Sequence, residues 1–408
     1  MALMHHAKDR EFPPFVAVAA VAAELAVIFI GATLPTPLYP LYRAAFSFSG
    51  LVLTLIYAVY VLGNLVALLI LGRLSDQIGR KSITLPAIAF GIASTVLFAF
   101  ASSVTWLFAA RILSGIATGL AAGAATAWIA ELSAGKNKLP TAKIASAANF
   151  AGLAAAPLAS GLLAEFAPWP LRLSYVLYLV LLVGIAGVIT FVPETVANPK
   201  KHLREISVKP RLGLPQEIRP KFVSPALTGF VIFALIGFYA ALIPSLLSES
   251  LHQTSPALSG AVVFQLFAVA VIAVGLTGGL ASRTAMLAAL LLLPVGTWLL
   301  VAAQLIKSLP LLFVATTLGG IAGALGYRGS LDLINTIAPS NQRSEVVSSY
   351  LIAVYSGNAL PVIGIGLLST LTSSIVAHIS LAALITVLAV FALVAERRSA
   401  IQGKNARG

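Results

Sequence analysis

Glu24 stands about nine residues into the first long apolar run of the chain, roughly 14 Å along a helix. A charge at that depth in a hydrocarbon layer is costly, and ionisable groups placed there are functional candidates by default. Glu24 is therefore read as a carrier of a coupling proton or a contact for a cationic substrate, with a hydrogen-bonded packing group as the plainer alternative. Arg111 lies about six residues into the fourth run, with Ser114 and Thr118 on the same helical face. It suits an anionic group of a substrate, a charge that tunes Glu24, or a structural arginine. Arg328 and Asp332 are four apart in the tenth run and can pair with each other, as a gate, an interfacial pair or a proton site. Asn64, Asn149, Gln265, Gln304 and Asn358 are uncharged polar candidates for a cavity lining. Tyr39 and Tyr42 read as cavity or interface aromatics, and Trp106 and Trp169 as interface aromatics.

One short stretch is unusually charged. "GRLSDQIGRK", residues 72–81, sets Arg73, Asp76, Arg80 and Lys81 between glycines in a chain that is 10% charged. Gly72 and Gly79 permit a tight helix-to-helix turn, and Arg80 and Lys81 suit a membrane boundary. Asp76 is not needed for topology. It either pairs with Arg80, four residues on, or is left to face a positive helix end while Arg80 reaches Glu131.

The same inventory excludes several classes. There is no cysteine, so disulfide and thiol chemistry are out. The five histidines show no ligand spacing, and no phosphate-binding G-x-x-x-x-G-K-[ST] loop occurs. No enzyme constellation, metal or cofactor is expected. The net charge of +13 does not indicate nucleic acid, because the basic residues never form one cluster outside the apolar runs.

These residues are positioned by long apolar runs, each able to cross about 30 Å of hydrocarbon as a helix. Twelve are predicted: 15–38, 51–71, 83–102, 105–129, 143–164, 172–192, 224–246, 258–278, 285–305, 310–335, 346–369 and 375–395. The fold class is thus an all-α membrane protein. With the N-terminus in the cytoplasm, only Arg43, Arg172 and Lys307 among the 26 Lys and Arg fall outside, while Arg111 and Arg328 lie within spans. That is the positive-inside pattern. "MALMHHAKDREFPP" lacks the marks of a cleaved leader, so the first span is expected to stay. The longest polar interruption, 193–223, is rich in Lys and Arg and is read as a cytoplasmic linker suited to anionic lipid headgroups. It divides an N-terminal bundle, 1–192, from a C-terminal bundle and tail, 224–408. The halves repeat. "SGIATGLAAG" at 114–123 matches "GGIAGALGY" at 319–327, "APLASGLL" at 156–163 matches "LPVIGIGLL" at 360–368, and Gly72 and Leu74 match Gly278 and Leu280, all at offsets of 204 to 206. A repeat of six helices marks an alternating-access transporter.

"GRLSDQIGRKS" resembles the loop between helices 2 and 3 of the major facilitator superfamily, at Gly72, Leu74, Asp76, Gly79, Arg80 and Lys81. "RILSGIATG" from Arg111 resembles that family's helix 4 motif, and "PET" at Pro193–Thr195 the end of its helix 6. "NFAGLAAAPLASGLL" resembles its helix 5 motif at Gly152, Pro157 and Gly161, with Ala156 and Ser160 where glycines are usual. The resemblance implies twelve transmembrane helices in two pseudo-symmetric six-helix bundles. It further implies a monomer in the bacterial inner membrane with both termini cytoplasmic. The helix 5 motif implies a proton-coupled exporter of small organic molecules or drugs; an importer or uniporter of a sugar or other metabolite is the alternative. The implied partners are a small-molecule substrate, protons and the bilayer. The resemblance also implies a latch that favours the outward-facing state: Asp76 against the cytoplasmic end of helix 11, and Arg80 bridged to Glu131.

Overall fold

A computed structural model describes residues 12–71, 74–133, 141–197, 199–200 and 212–405. Gly72, Arg73 and the linker residues Lys201, Arg204, Lys209 and Arg211 lie outside the described residues.

In hydrocarbon each backbone N–H and C=O must find its partner within the segment, so the long apolar runs fold as helices. We label the twelve long helices in chain order: α1 Pro14–Thr33, α2 Gly50–Val66, α3 Arg80–Ala99, α4 Val104–Leu132, α5 Thr141–Phe166, α6 Leu173–Ile189, α7 Arg219–Ser250, α8 Pro256–Leu276, α9 Ser282–Leu305, α10 Leu309–Ile337, α11 Arg343–Leu371 and α12 Ser374–Asn405. Among the described residues, eleven spans are long and apolar enough to cross a membrane, and α6, at 17 residues, is a shorter apolar helix.

Helix ends depart from the predicted spans for local reasons. α1 stops at Thr33 because Pro35 and Pro37 follow; the chain turns through a 3₁₀ segment, Thr36–Leu38, into a short helix, Tyr39–Phe46. α2 ends in a π-turn, Ala67–Leu71, that leads to the charged loop. α7, α11 and α12 run past their apolar windows into polar turns, so α7 begins at Arg219, inside the stretch read as linker. Several starts are capped by serine: Ser49 accepts from Val52 N at 3.3 Å, Ser255 from Leu258 N at 3.0 Å and Ser308 from Leu311 N at 3.4 Å.

Packing within the bundle repeats with the sequence. Lipid offers helices no hydrophobic gain for meeting, so small residues that admit a neighbouring backbone fix the contacts. A Cβ on Gly152 of α5 would strike the Ala26 carbonyl of α1, and one on Gly357 of α11, 205 positions on, would strike the Phe230 carbonyl of α7. Gly115 of α4 lies against the Tyr60 carbonyl of α2, and Gly320 of α10 against the Leu266 carbonyl of α8. The sixth helix of each half is tied to the third through an acid. Glu194, just after α6, accepts from the backbone N–H of Arg80 and Lys81 at 2.9 and 3.0 Å and so caps α3. Glu396 of α12 accepts from Arg283 Nε of α9 at 2.7 Å.

Gly152→Val should force α5 off α1, at about 1–3 kcal/mol for an overpacked contact. The expected result is a melting temperature in detergent lowered by several degrees. Gly184→Val, where a Cβ meets nothing within 4 Å, should leave it unchanged.

Candidate functional site

At the end of the bundle where α3 begins, the charged loop forms one network. Arg80 is buried, and its guanidinium grips Glu131 of α4 twice, Nη2 to Oε1 at 2.5 Å and Nε to Oε2 at 3.1 Å. The same side chain also pairs with Asp76 and donates to Ser75 Oγ at 2.7 Å. The two pairings weighed from sequence are therefore simultaneous. Thr195 Oγ1 donates to Glu131 Oε2 at 2.5 Å, and Trp128 Nε1 donates to the Pro193 carbonyl at 3.0 Å, so "PET" closes the network. Gly79 takes φ +111°, a conformation open to glycine, and a Cβ there would also meet the Glu194 carboxylate at 2.6 Å. Asp76 is 61% exposed by side chain, and its described partner is Arg80 rather than α11.

The seams between the first six and the last six helices lie elsewhere. α5 meets α8 through two reciprocal close approaches: Gly161 against the Pro256 carbonyl and Gly260 against the Pro157 carbonyl. α11 meets α2 where Gly366 lies on Thr54. Pro157 and Gly161 thus face the seam, whereas Gly152 packs inside its own half. Polar links span the same region. Thr36 Oγ1 donates to the Ala240 carbonyl at 2.8 Å, and Arg43 Nη1 pairs with Glu249 Oε1 at 2.7 Å. Glu165 accepts from Ser255 and, at 2.9 Å, from Ala257 N, which caps α8. Among the described residues, the hydrogen bonds and ion pairs that cross between the halves' helices lie at mid-depth or at the end opposite Arg80.

Arg111 occupies the interior near this closed end, fully buried. Its Nη1 donates to the Ala32 carbonyl at 2.8 Å, Nε to the Tyr39 hydroxyl at 2.9 Å, and Nη2 also to Tyr39. The guanidinium carbon lies 5.2 Å from the ring centre of Tyr60, 5.5 Å from Tyr39, 5.9 Å from Tyr57 and 6.0 Å from Phe98. Rings supply part of the stabilisation that a carboxylate otherwise gives; among the described residues no acid pairs with Arg111. Tyr57 carries the arrangement across the seam, donating to Asn358 Oδ1 of α11 at 3.0 Å. Thr118 Oγ1 lies 3.4 Å from the Tyr60 hydroxyl, and Asn64 lies beside Tyr60 and Tyr355.

Glu24 is fully buried, and neither carboxyl oxygen has a hydrogen-bond partner among the described residues. It shares a face of α1 with Ile28 and Gly31, whose neighbour is Tyr178 of α6. That face points into the first half, not across the seam. Arg328 and Asp332 do not pair with each other. Arg328 donates to the carbonyls of Thr277 and Leu280 at 2.6 and 3.2 Å, and Asp332 accepts from Ser282 Oγ at 3.3 Å. The carbonyls of Thr277 and Leu280, just past α8, draw the guanidinium away. Gln265 Nε2 donates to the Phe313 carbonyl and to Thr317, at 3.0 and 2.8 Å, and so binds α8 to α10 rather than facing a cavity. Gln304 Oε1 lies 2.9 Å from His378 Nδ1. Asn149 is half-buried on α5. Tyr39 and Tyr42 are buried, so they are not interface aromatics, while Trp106 and Trp169 are exposed. Among the described residues no three His, Cys, Asp or Glu side chains gather as a metal group.

Sequence reading missed the ring cage around Arg111, although Tyr57, Tyr60 and Asn64 carry its spacing on one face of α2. It also missed Arg43 with Glu249, whose partners lie in different halves with no local signal.

Residues 24–292 match the family model described as Major Facilitator Superfamily. The fold is similar to that of a bacterial homologue of the human lysosomal transporter Spinster, solved inward-facing and unoccupied: 17% identity, TM-score 0.76, covering 94% of this chain and 97% of that one. It is also similar to the human organic anion transporter MFSD10 (TETRAN), at 17% identity and TM-score 0.66, covering 94% of this chain and all of that one. A comparison with curated protein sequences gave no match.

Two outcomes follow from these contacts. Glu131→Gln should cost about 1–3 kcal/mol by leaving a buried guanidinium short of its partner, and Arg80→Glu combined with Glu131→Arg should regain part of the lost melting temperature. A double variant no better than the worse single would refute the pairing as a matter of charge. Arg43→Ala should lengthen spin-pair distances between labels at Ser102→Cys and Thr372→Cys, read by double electron–electron resonance. Because the chain has no native cysteine, the two labels report alone.

Proposed function

Because this chain belongs to the major facilitator superfamily, we propose that it is a secondary active transporter that exports small organic molecules in exchange for protons by alternating access. A multi-pass membrane transporter is the premise; direction, coupling and substrate are the proposal. The observation that carries it is the placement of the cross-half contacts. The halves are joined by glycine-to-backbone seams and polar links from mid-depth to one end, and the charged network at the other end is completed within one half. Weak contacts confined to one end can be exchanged for contacts at the other, which a two-state carrier needs.

The Arg80 end is assigned to the cytoplasm by the positive-inside rule, so both termini are cytoplasmic, in a bacterial inner membrane. On this assignment the structure is inward-facing, like the Spinster homologue it resembles. The latch reading then has Asp76 free of α11 here and engaging it only when the cytoplasmic side closes. Export is supported by the helix 5 motif, whose Pro157 and Gly161 sit in the α5–α8 seam. Glu24 is proposed as the proton carrier, since it is the acid buried at mid-span, and its coupling to the seam runs through α1, which carries Ala26 against Gly152 and Ala32 against Arg111. The transporter is proposed to act as a monomer.

Glu24→Gln is expected to abolish uptake of substrate into inside-out vesicles driven by an acidic interior, while leaving substrate counterflow intact. The check is both assays, side by side, on reconstituted protein with a panel of labelled drugs and metabolites. Undiminished proton-driven transport by the variant would remove Glu24 from coupling. Sugar uptake without a proton gradient would favour the importer or uniporter.

A further inference from the structure

Phe233 of α7, Tyr327 of α10 and Tyr355 of α11 come from three helices and meet in one cluster. Phe233 lies 5.4 Å from Tyr327 and 5.9 Å from Tyr355, centre to centre. Counted from the Arg80 end of each helix they stand about 15–21 Å deep, near the membrane midplane. All three are half-buried, not buried, and pack against the buried apolar core. Their accessible parts therefore open on a space within the molecule rather than on lipid. Tyr355 identifies that space: it faces Tyr57, Tyr60 and Asn64 of α2, across the seam. On the inward-facing reading, the cluster is a wall of the gap between the halves, on the side open toward the Arg80 end.

Charge around the gap is one-sided. Arg111, behind Tyr57 and Tyr60, has only carbonyl, hydroxyl and ring partners among the described residues. Glu24, the described acid nearest that depth, points into the first half with both oxygens buried. The other described acids lie toward the helix ends. An uncompensated cation in a low-dielectric interior raises the potential of the cleft beside it and favours anions there. Ring faces favour offset stacking with flat rings, and phenol hydroxyls donate well to an oxyanion.

We propose that Phe233, Tyr327 and Tyr355 form the ring-binding wall of the substrate site, and that this site takes planar aromatic molecules bearing a negative group in preference to organic cations. The proposal rests on the reading of the chain as a carrier of small organic molecules and names the class. The two phenols supply the polar contacts, and the rings supply the stacking surface; Asn64, itself buried, holds Tyr355 in place.

The test is direct binding, independent of transport. Fluorescein, a planar aromatic anion, and ethidium, a planar aromatic cation, are titrated by fluorescence anisotropy into the purified full chain in detergent. Fluorescein is expected to bind at least tenfold more tightly than ethidium. Phe233→Leu and Tyr355→Leu should weaken fluorescein three- to tenfold, and Tyr355→Phe, which keeps the ring, should lose less than Tyr355→Leu. Unchanged melting temperature and monodispersity identify folded variants, and Tyr355→Phe supplies the comparison if a leucine variant does not fold. Ethidium binding as tightly as fluorescein, unchanged fluorescein affinity in folded leucine variants, or no saturable fluorescein binding would each overturn the wall. Proton-driven flux in vesicles reports separately on the exporter reading: flux with cation-selective binding removes this proposal alone, and selective fluorescein binding without any flux removes that reading alone.

Discussion

Close approach of one helix backbone to another at a glycine is the constraint on which the rest of this structure depends. Between helices in lipid, association draws on van der Waals contact and polar links rather than on release of water. A carbonyl seated where a Cβ would stand lets both contribute over a short length. Gly152 and Gly357 set the first and fifth helices of each half together, and Gly115 and Gly320 the second and fourth. The same device at Gly161, Gly260 and Gly366 joins the halves. Intra-half and inter-half contacts thus share one chemistry. What separates the bundle of one half from the seam between the halves is how far along the helices such contacts extend.

Polar side chains then do what glycine does not. Glu194 and Glu165 each satisfy the exposed N–H groups at the start of a helix from another element, Glu194 inside one half and Glu165 across the seam. Arg80 gathers Asp76, Glu131 and Ser75 in a single half-buried cluster. Buried ion pairs gain little over well-packed apolar side chains but lose much when one partner is removed, so this cluster acts on the register of α3 against α4 more than on total stability.

The number and order of helices were legible because an apolar run long enough for a bilayer leaves little else to become. The repeat was legible in part because glycines at close helix contacts recur at matching positions, as at Gly115 with Gly320 and Gly161 with Gly366. Arg80 and Glu131 could be paired from sequence because both lie at the same end of neighbouring helices. Arg328 and Asp332 misled: spacing of four permits a pair, but the carbonyls of Thr277 and Leu280 after α8 compete for the guanidinium. Tyr39 misled for a related reason. A tyrosine at a helix end suits the membrane interface, and only the fold brings the hydrophobic interior and Arg111 onto it. Which face of α1 carries Glu24 inward was equally beyond a chain whose apolar residues surround that helix on all sides.

Arg111 carries an electrical consequence. Its guanidinium is fixed to the end of α1 through Ala32 and Tyr39, with no acid beside it among the described residues, so it would travel with that helix. Moving one elementary charge through the whole of a 100 mV membrane potential is worth about 2.3 kcal/mol. Any rocking that shifts the first half along the membrane normal carries this charge through a fraction of that drop. On the alternating-access reading proposed above, voltage would bias the conformational balance as well as substrate, and a polarised membrane would perform work on the protein before anything is bound.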